Sequence, residues 1–324
     1  MSEDTKLNPT DTLSLSLSLS LSLSLELAEK VKKSIEILKL GSKMSQRYYN
    51  APLIITYSGG KDSEVLVDLA FKAGIEFEIY NNHTTVDAPE TVYHIRQQFK
   101  KWREMGIRCH VTYPEIKGER TSMWSLIPKY EIMPSPWVRY CCQVLKETKI
   151  KKRFIATGVR KDESSKRTNR TAFEWIASKK ENKIHKSYDE AAEVYQEDID
   201  NSPYGDCRFI TAAKRKRKLV VNPIIDWTEN EVWEYIRAEK LEYNPLYDEG
   251  FKRVGCVGCI LSGKKCMEQD FERYPKYEKL YRNTCQKLYD KLTSEGKYFY
   301  LDKEKTIPAK NGDEIFDWWL NLRH

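Results

Sequence analysis

Two pairs of cysteines have a spacing that suits metal or cluster chemistry. Cys141 and Cys142 are adjacent in RYCCQVLK, and Cys256 and Cys259 form a C-x-x-C in GFKRVGCVGCILSG. Adjacent thiols rarely pair with each other, because disulfide geometry requires Cα atoms that are farther apart and differently aimed. One zinc usually takes two spaced pairs, whereas a four-iron cluster offers a separate iron to each adjacent thiolate. The spacing favours a [4Fe-4S] cluster, with zinc or buried or redox thiols as alternatives.

A glycine-rich loop, YSGGKDS, provides the second chemical motif. Its glycines let backbone amides approach phosphate oxygens at the positive end of the following helix. The spacing does not match the G-x-x-x-x-G-K-[ST] loop. It resembles the PP-loop, SGGxDS, of the adenine-nucleotide α-hydrolase superfamily, which implies an adenine nucleotide as ligand. The candidate phosphate-binding residues of the loop are Ser58, Gly59, Gly60, Lys61, Asp62 and Ser63.

Strand and helix patterns alternate around these motifs. PLIITYS, FEIYN, RCHVTY and RFIATGV read as strands, and SEVLVDLAFKAG and ETVYHIRQQFKKWREMG read as helices. This alternation predicts an α/β fold with a mostly parallel twisted sheet and helices on both faces. Thr228 and Glu231 form a capping box for the helix WTENEVWEYIRAEK. The segment EIFDWWLNL has an apolar face.

The composition along the chain predicts several segments. These segments are a low-complexity Leu-Ser leader at 1–26, an N-terminal helix at 27–50, a PP-loop domain at 51–265 with a polar insertion or lid at 161–206, and a C-terminal helical extension at 266–324. The net charge of +7 suits a polyanionic ligand. We expect no membrane span and no secretory signal, so the sparse cysteines indicate the reducing cytoplasm.

Several motifs in the same order resemble the phosphoadenosine and adenosine phosphosulfate reductases over about residues 50–265. TTVDAPET is similar to their DTGxxFPET segment and contains Thr84. RYCCQVLK is similar to CCxxxK, with Lys146 at the matching lysine. TGVRKDES resembles the substrate-arginine stretch and contains Arg160 and Ser164. The block from NPIIDW to GCVGC is similar almost throughout.

The resemblance implies a function as well as a fold. In the cluster-bearing branch the four cysteines hold a [4Fe-4S] cluster beside the substrate. A thiol attacks the sulfur of the sulfonucleotide, and thioredoxin or a similar thiol then releases sulfite. Lys61, Lys146, Arg160 and Arg167 would neutralise phosphate and sulfate charge.

Two positions depart from the family pattern. The family's attacking cysteine stands in a C-terminal ECGLH, whereas this sequence has no cysteine after Cys285. Cys266, flanked by Lys264 and Lys265, is a candidate substitute, although a spectator thiol at a helix start is the simpler interpretation. His83 stands where the family has the aspartate of DTG.

Two other functions are compatible with the same residues. An ATP-dependent sulfurtransferase would adenylate a target, use Mg²⁺ and thiolate a nucleic acid. The basic run Lys214–Lys218 would suit that substrate, although such a run is more often a solvated surface. A non-catalytic nucleotide sensor is the third hypothesis. The sequence leaves open whether the substrate carries a 3′-phosphate. It also leaves open the sulfur or electron donor and the oligomeric state.

Overall fold

The computed structural model describes residues 23–147, 150, 152–175, 184–200 and 218–322. Most of the expected leader, residues 1–22, lies outside them. The first described helix, α1, spans Leu25–Tyr49. Ser24 caps it by accepting a hydrogen bond from the Leu27 amide at 3.4 Å, and Asn50 ends it with a φ of 49°. The helix therefore begins inside the segment expected to be leader.

A seven-stranded sheet forms the centre of the fold, as the alternating pattern predicts. Its strands are β1 Leu53–Thr56, β2 Phe77–Asn82, β3 Arg108–Thr112, β6 Phe154–Ala156, β7 Phe173–Trp175, β8 Ile184–Lys186 and β9 Leu219–Val221, while β4 Glu115–Ile116 and β5 Glu119–Arg120 form a separate hairpin. The strands of the sheet follow the order β3-β2-β1-β6-β9-β7-β8. β1 pairs in parallel with β2 and β6, and β6 pairs in parallel with β9.

Helices connect and follow the strands, and the α/β prediction is confirmed. Thr228 and Glu231 form the predicted capping box at the start of the helix Glu229–Ala238. No helix among the described residues combines the length and apolar character needed to cross a bilayer. The helix bounds are α2 Lys61–Lys72, α3 Pro89–Glu104, α4 Met123–Tyr130, α5 Tyr140–Cys142, α6 Tyr188–Asp200, α7 Glu229–Ala238, α8 Lys264–Arg273, α9 Pro275–Ser294 and α10 Gly312–Leu320.

Part of the range expected to be a polar insertion or lid belongs to the sheet. β7 pairs antiparallel with β9 on one side and β8 on the other. Phe173 is fully buried, and Glu174 is buried with its carboxylate accepting a hydrogen bond from Arg170 Nε at 2.7 Å. The sequence concealed this strand because three residues are too few to show a period, and one of them is charged. Residues 176–183 and 201–206 of the range lie outside the described chain.

The chain divides into two compact units. The first contains residues up to Tyr80, Gln98–His110 and Lys151–Pro245, and the second contains Asn81–Gln97, Val111–Ile150 and Leu246–His324. The second unit has its own apolar core, to which α4, α8, α9 and α10 contribute. Phe316 and Trp319 of α10 are fully buried there, so the predicted apolar face of this helix is confirmed.

Candidate active site

The glycine-rich loop of the first unit joins β1 to α2, where the sequence places it. Gly59 has a φ of 74°, which favours glycine, and Gly60 is the residue before the helix. Ser63 Oγ donates to the Gly60 carbonyl at 2.7 Å and accepts from the Ser58 amide at 3.3 Å. The loop thus folds back onto the first turn of the helix, whose N-terminal amides attract anions.

Charged side chains of the first unit pair with one another beside this loop. Lys61 is 4% exposed, and its Nζ lies 3.4 Å from Asp62 Oδ2 and 3.6 Å from Glu229 Oε1. Arg160 is 2% exposed; its Nε donates to Asp62 Oδ1 at 2.5 Å, and its Nη1 lies 3.3 Å from Asp162 Oδ2. Lys61 and Arg160, two of the four cations predicted to meet phosphate or sulfate, are therefore already compensated by carboxylates.

The cysteine pairs of the second unit come together. Cys141, Cys142, Cys256 and Cys259 line one cavity that opens partly to solvent. Lys146 lines the same cavity. The sequence separates the two pairs by more than a hundred residues, so the cavity depends on the tertiary fold. Among the described residues, no three His, Cys, Asp or Glu side chains are arranged to hold a single metal ion.

Hydrogen bonds from three segments fix the C-x-x-C turn. The Val257 amide donates to the Val86 carbonyl at 2.8 Å, and the Tyr281 hydroxyl donates to the Val257 carbonyl at 3.1 Å. The Gly258 amide donates to Asp270 Oδ2 at 2.8 Å. Gly258 has a φ of 68°, and a Cβ added there would lie 2.7 Å from the ring of Phe271. The turn therefore requires glycine between its two cysteines.

A short helix with a π-helical continuation presents the adjacent cysteines. Cys141 and Cys142 end α5, and residues Gln143–Glu147 continue it as a π-helix that contains Lys146. Tyr140 anchors this segment, because its buried hydroxyl donates to the Ile132 carbonyl at 2.7 Å. π-Helical turns are rare overall, and those that occur are often found at functional sites.

The electrostatics of the cavity distinguish its thiols. The hydrogen bond from Cys141, assisted by Arg139, lowers the pKa of Cys142 below its ordinary value, and the same contact raises the pKa of Cys141. Burial raises the pKa of Cys256. The negative charge of the thiolates, that of Cys256 first, raises the pKa of Lys146. A cation beside several thiols lowers the energy of their ionised form.

The Phosphoadenosine phosphosulfate reductase domain model matches residues 52–262, a range that includes the glycine-rich loop and all four cavity cysteines. The chain belongs to this family. An adenosine 5′-phosphosulfate reductase of Staphylococcus haemolyticus is 24% identical over 242 residues, covering 71% of this chain and 78% of that protein.

Other relatives match only part of their own length. An uncharacterized protein of Methanocaldococcus jannaschii is 26% identical over 251 residues, which cover 74% of this chain and 42% of the relative. For a second uncharacterized protein of that organism the matched share of the relative is 46%. The chain thus spans less than half the length of these two proteins. The crystal structure of a phosphoadenylyl-sulfate reductase from Candida auris aligns with 78% of the chain at 17% identity and a TM-score of 0.40.

The remaining predicted residues have varied surroundings. Thr84 belongs to the second unit, where it donates to Asp87 Oδ1 at 2.7 Å and accepts a 3.5 Å contact from Cys256 Sγ. Ser164 is exposed, and Arg167 forms an ion pair with Glu163. Nucleotide binding by these residues stays a prediction.

The cysteines outside the cavity differ in burial, and most of the basic run falls outside the described residues. Cys109 is buried, as predicted, and Cys285 is buried too, whereas Cys266 is exposed in the first turn of α8. Cys207 and residues 214–217 of the basic run lie outside the described chain.

Sequence reasoning missed the residues that hold these motifs in place. Asp270 and Tyr281 support the C-x-x-C turn, and Asn244 Nδ2 donates to the Gly59 carbonyl of the phosphate loop at 3.2 Å. Asn244 lies inside the block from NPIIDW to GCVGC, whose similarity to the reductases could have indicated it. Asp270 and Tyr281 follow that block and carried no signal of their own.

Proposed function

We propose that this protein is an enzyme of the phosphoadenosine phosphosulfate reductase family that reduces an adenine sulfonucleotide to sulfite. The observation that carries the proposal is the cavity shared by four thiols and Lys146 in a chain that also has a PP-loop. A cation among thiols suits chemistry on an anionic sulfur compound, since it stabilises negative charge in the transition state.

The donor set fits an iron-sulfur cluster better than one zinc ion. All four thiols line one cavity, and Cys141 and Cys142 are adjacent in the sequence. A cluster distributes four thiolates over separate irons, so adjacent cysteines can each reach a different one. Cys141, Cys142, Cys256 and Cys259 would hold it. A bound cluster would orient and polarise the site rather than carry electrons.

The proposed reaction has two steps. A thiolate attacks the sulfur of the sulfonucleotide, the bond from sulfur to the phosphate oxygen breaks, and AMP or adenosine bisphosphate leaves. The attacking thiol then carries an S-sulfonate. One thiol of a thioredoxin-like dithiol attacks the enzyme's sulfur and releases sulfite. The second thiol of the reductant closes its disulfide, which supplies the two electrons.

Cys266 is the candidate attacking thiol by comparison with the other described cysteines. Four of these line the cavity as proposed cluster ligands, and Cys109 and Cys285 are buried. Cys266 is exposed near Lys264, whose Nζ lies 3.6 Å from Glu268. An attacking thiol must reach the substrate and afterwards a protein reductant, and exposure satisfies the second requirement.

A second candidate function is the ATP-dependent sulfurtransferase. The carboxylates of Asp62 and Glu229 lie within 3.6 Å of the Lys61 ammonium. Carboxylates beside a phosphate loop suit a nucleotide that arrives with Mg²⁺, because this ion is usually bound by one or two carboxylates together with substrate phosphates. This enzyme would release pyrophosphate from ATP when its acceptor nucleic acid is present.

The experiment measures both products with one protein preparation. Protein purified without oxygen and with iron and sulfide quantified is given adenosine phosphosulfate or its 3′-phosphorylated form with thioredoxin, and separately ATP with Mg²⁺ and nucleic acid. Sulfite that is lost in Cys266→Ser supports the reductase and its attacking thiol. Pyrophosphate without sulfite supports the sulfurtransferase. Lys61→Gln should lower either product, because Lys61 is a predicted phosphate-binding residue, and unchanged activity in this variant would count against the loop as the nucleotide site.

A further inference from the structure

We propose that Arg160 and Asn244 are positioning residues that hold the PP-loop from outside and do not contact the nucleotide. The inference rests on the proposed nucleotide-binding function of that loop. It differs from what the family resemblance implies for Arg160, which is contact with the substrate.

Protein groups contact two of the three guanidinium nitrogens of Arg160. Its Nε donates to Asp62 Oδ1 at 2.5 Å, and its Nη1 contacts Asp162 Oδ2 at 3.3 Å and the Trp227 carbonyl at 3.4 Å. Only 2% of the residue is exposed. A guanidinium in contact with two carboxylates and a carbonyl has little charge to offer an anionic ligand.

The backbone next to Arg160 also lies directly on the loop. A Cβ added at Gly158 would lie 3.0 Å from the Asp62 carbonyl oxygen and 3.1 Å from its carbonyl carbon. The segment TGVR therefore packs against the backbone of Asp62, and the Arg160 side chain reaches the carboxylate of the same residue. One segment thus fixes both the position and the side chain of Asp62 in the first turn of α2.

Asn244 fixes the other end of the loop. It is fully buried, and its Nδ2 donates to the carbonyl of Gly59, the residue with a φ of 74°. The hydrogen bond to this carbonyl holds the peptide between Gly59 and Gly60 in the orientation that the positive φ of Gly59 gives it. The loop amides are thereby set before a nucleotide arrives, which reduces the entropy lost on binding.

The charges beside the loop agree with this assignment. Lys61 and Arg160 are matched by three carboxylates, those of Asp62, Asp162 and Glu229. The side chains together do not present an excess of positive charge to a phosphate. Backbone amides at the start of the helix are then the main donors, and amides act only if their peptides are correctly oriented.

A double-mutant cycle tests the role of Arg160. Binding of ATP and of adenosine 5′-phosphosulfate is measured by titration calorimetry on wild type, Arg160→Gln, Asp62→Asn and the double variant. If Arg160 acts through Asp62, each single change weakens both nucleotides about tenfold and the double variant is no weaker than either, because neighbours that share one contact are coupled. If the fold-losses in nucleotide affinity of the two single variants multiplied in the double variant, the proposal would be overturned. Lys161→Gln, which loses only a surface ion pair to Asp226, is the matched control and should bind as wild type does.

Asp162→Asn covers the case in which Arg160→Gln does not fold. Asp162 is half exposed, and its removal frees Arg160 from one carboxylate. A positioning role predicts unchanged or slightly weaker nucleotide binding. An arginine that contacts the ligand's phosphate or sulfate would instead bind it more tightly once a competing carboxylate is removed, and tighter binding would refute the assignment.

Asn244 is tested against a buried serine of the same unit. Ser45 is fully buried, and its hydroxyl donates to the Ala51 carbonyl at 2.8 Å, beyond the end of α1. Ser45→Ala and Asn244→Ala should both lower the melting temperature, whereas only Asn244→Ala should weaken nucleotide binding. Equal affinities in the two variants would reduce Asn244 to a structural role. Wild-type protein that binds neither nucleotide would refute the proposed function itself, and the nucleotide role of both residues with it.

Discussion

Gly258→Ala is expected to destabilise the C-x-x-C turn and to prevent assembly of the proposed cluster. Gly258 stands between Cys256 and Cys259 with a φ of 68°. The new methyl group would lie 2.7 and 2.9 Å from two carbons of the Phe271 ring and 3.1 Å from a ring carbon of Tyr281. Both rings are buried, so neither has space into which it could retreat.

The size of the effect follows from two costs. A residue with a Cβ in the left-handed region costs about 1–2 kcal/mol. Overpacking a filled core costs about 1–3 kcal/mol more. The total of about 2–5 kcal/mol is a large fraction of the stability of a typical domain, which is about 5–15 kcal/mol. We therefore expect either a displaced turn or a partly unfolded second unit, and in both cases fewer correctly placed thiols.

The assay compares two glycines of the same loop. Gly255 directly precedes Cys256, and an added Cβ there would have no heavy atom within 4 Å. Gly255→Ala and Gly258→Ala proteins are purified without oxygen, their iron and sulfide are counted per chain, and their urea midpoints are measured. Gly255→Ala should resemble wild type in both measurements. If Gly258→Ala also retained wild-type iron and midpoint, the turn would not control the cavity and our reasoning would be wrong.

Three further changes test contacts within one unit or the other. Gly312→Ala places a Cβ 2.3 Å from a backbone nitrogen of α9 and should lower the free energy of unfolding by about 3 kcal/mol in chemical denaturation. Tyr140→Phe removes the hydrogen bond to the Ile132 carbonyl and should cost about 1 kcal/mol by the same measurement. Burial would raise the pKa of Glu231, but the hydrogen bond from Lys30 lowers it below its ordinary 4.5. This contact therefore stabilises the fold above pH 4.5, and its contribution is lost as the pH falls through the lowered pKa of the folded state. The urea midpoint of Glu231→Gln should be below that of wild type at pH 7. The difference between the two midpoints should shrink below pH 4.5.

The sequence was informative where a pattern extends over many residues or uses special residue types. The run PLIITYS followed by glycines places a phosphate loop between β1 and α2, and the structure has that arrangement. The two cysteine pairs were combined because their types and spacing suit one cofactor, and they line one cavity. The cofactor itself stays a prediction.

The remaining features depend on contacts that no local pattern encodes. Three-residue β7 has no measurable period, and a buried carboxylate at Glu174 disguises it as surface. Arg160 has the residue type of a ligand-binding cation, but its burial against Asp62 follows from where Gly158 packs. The π-helix that includes Lys146 is equally invisible, since its hydrogen-bonding register depends on its surroundings.

The supports of the C-x-x-C turn have a consequence for how this family diversifies. The family match ends at residue 262, yet two of the three hydrogen bonds to the turn come from Asp270 in α8 and Tyr281 in α9. The boundary of the matched domain is therefore not a boundary of the structure that holds this turn. α8 and α9 lie beyond it, so a relative with a different module in their place would need other partners for the same turn to keep its thiols in register.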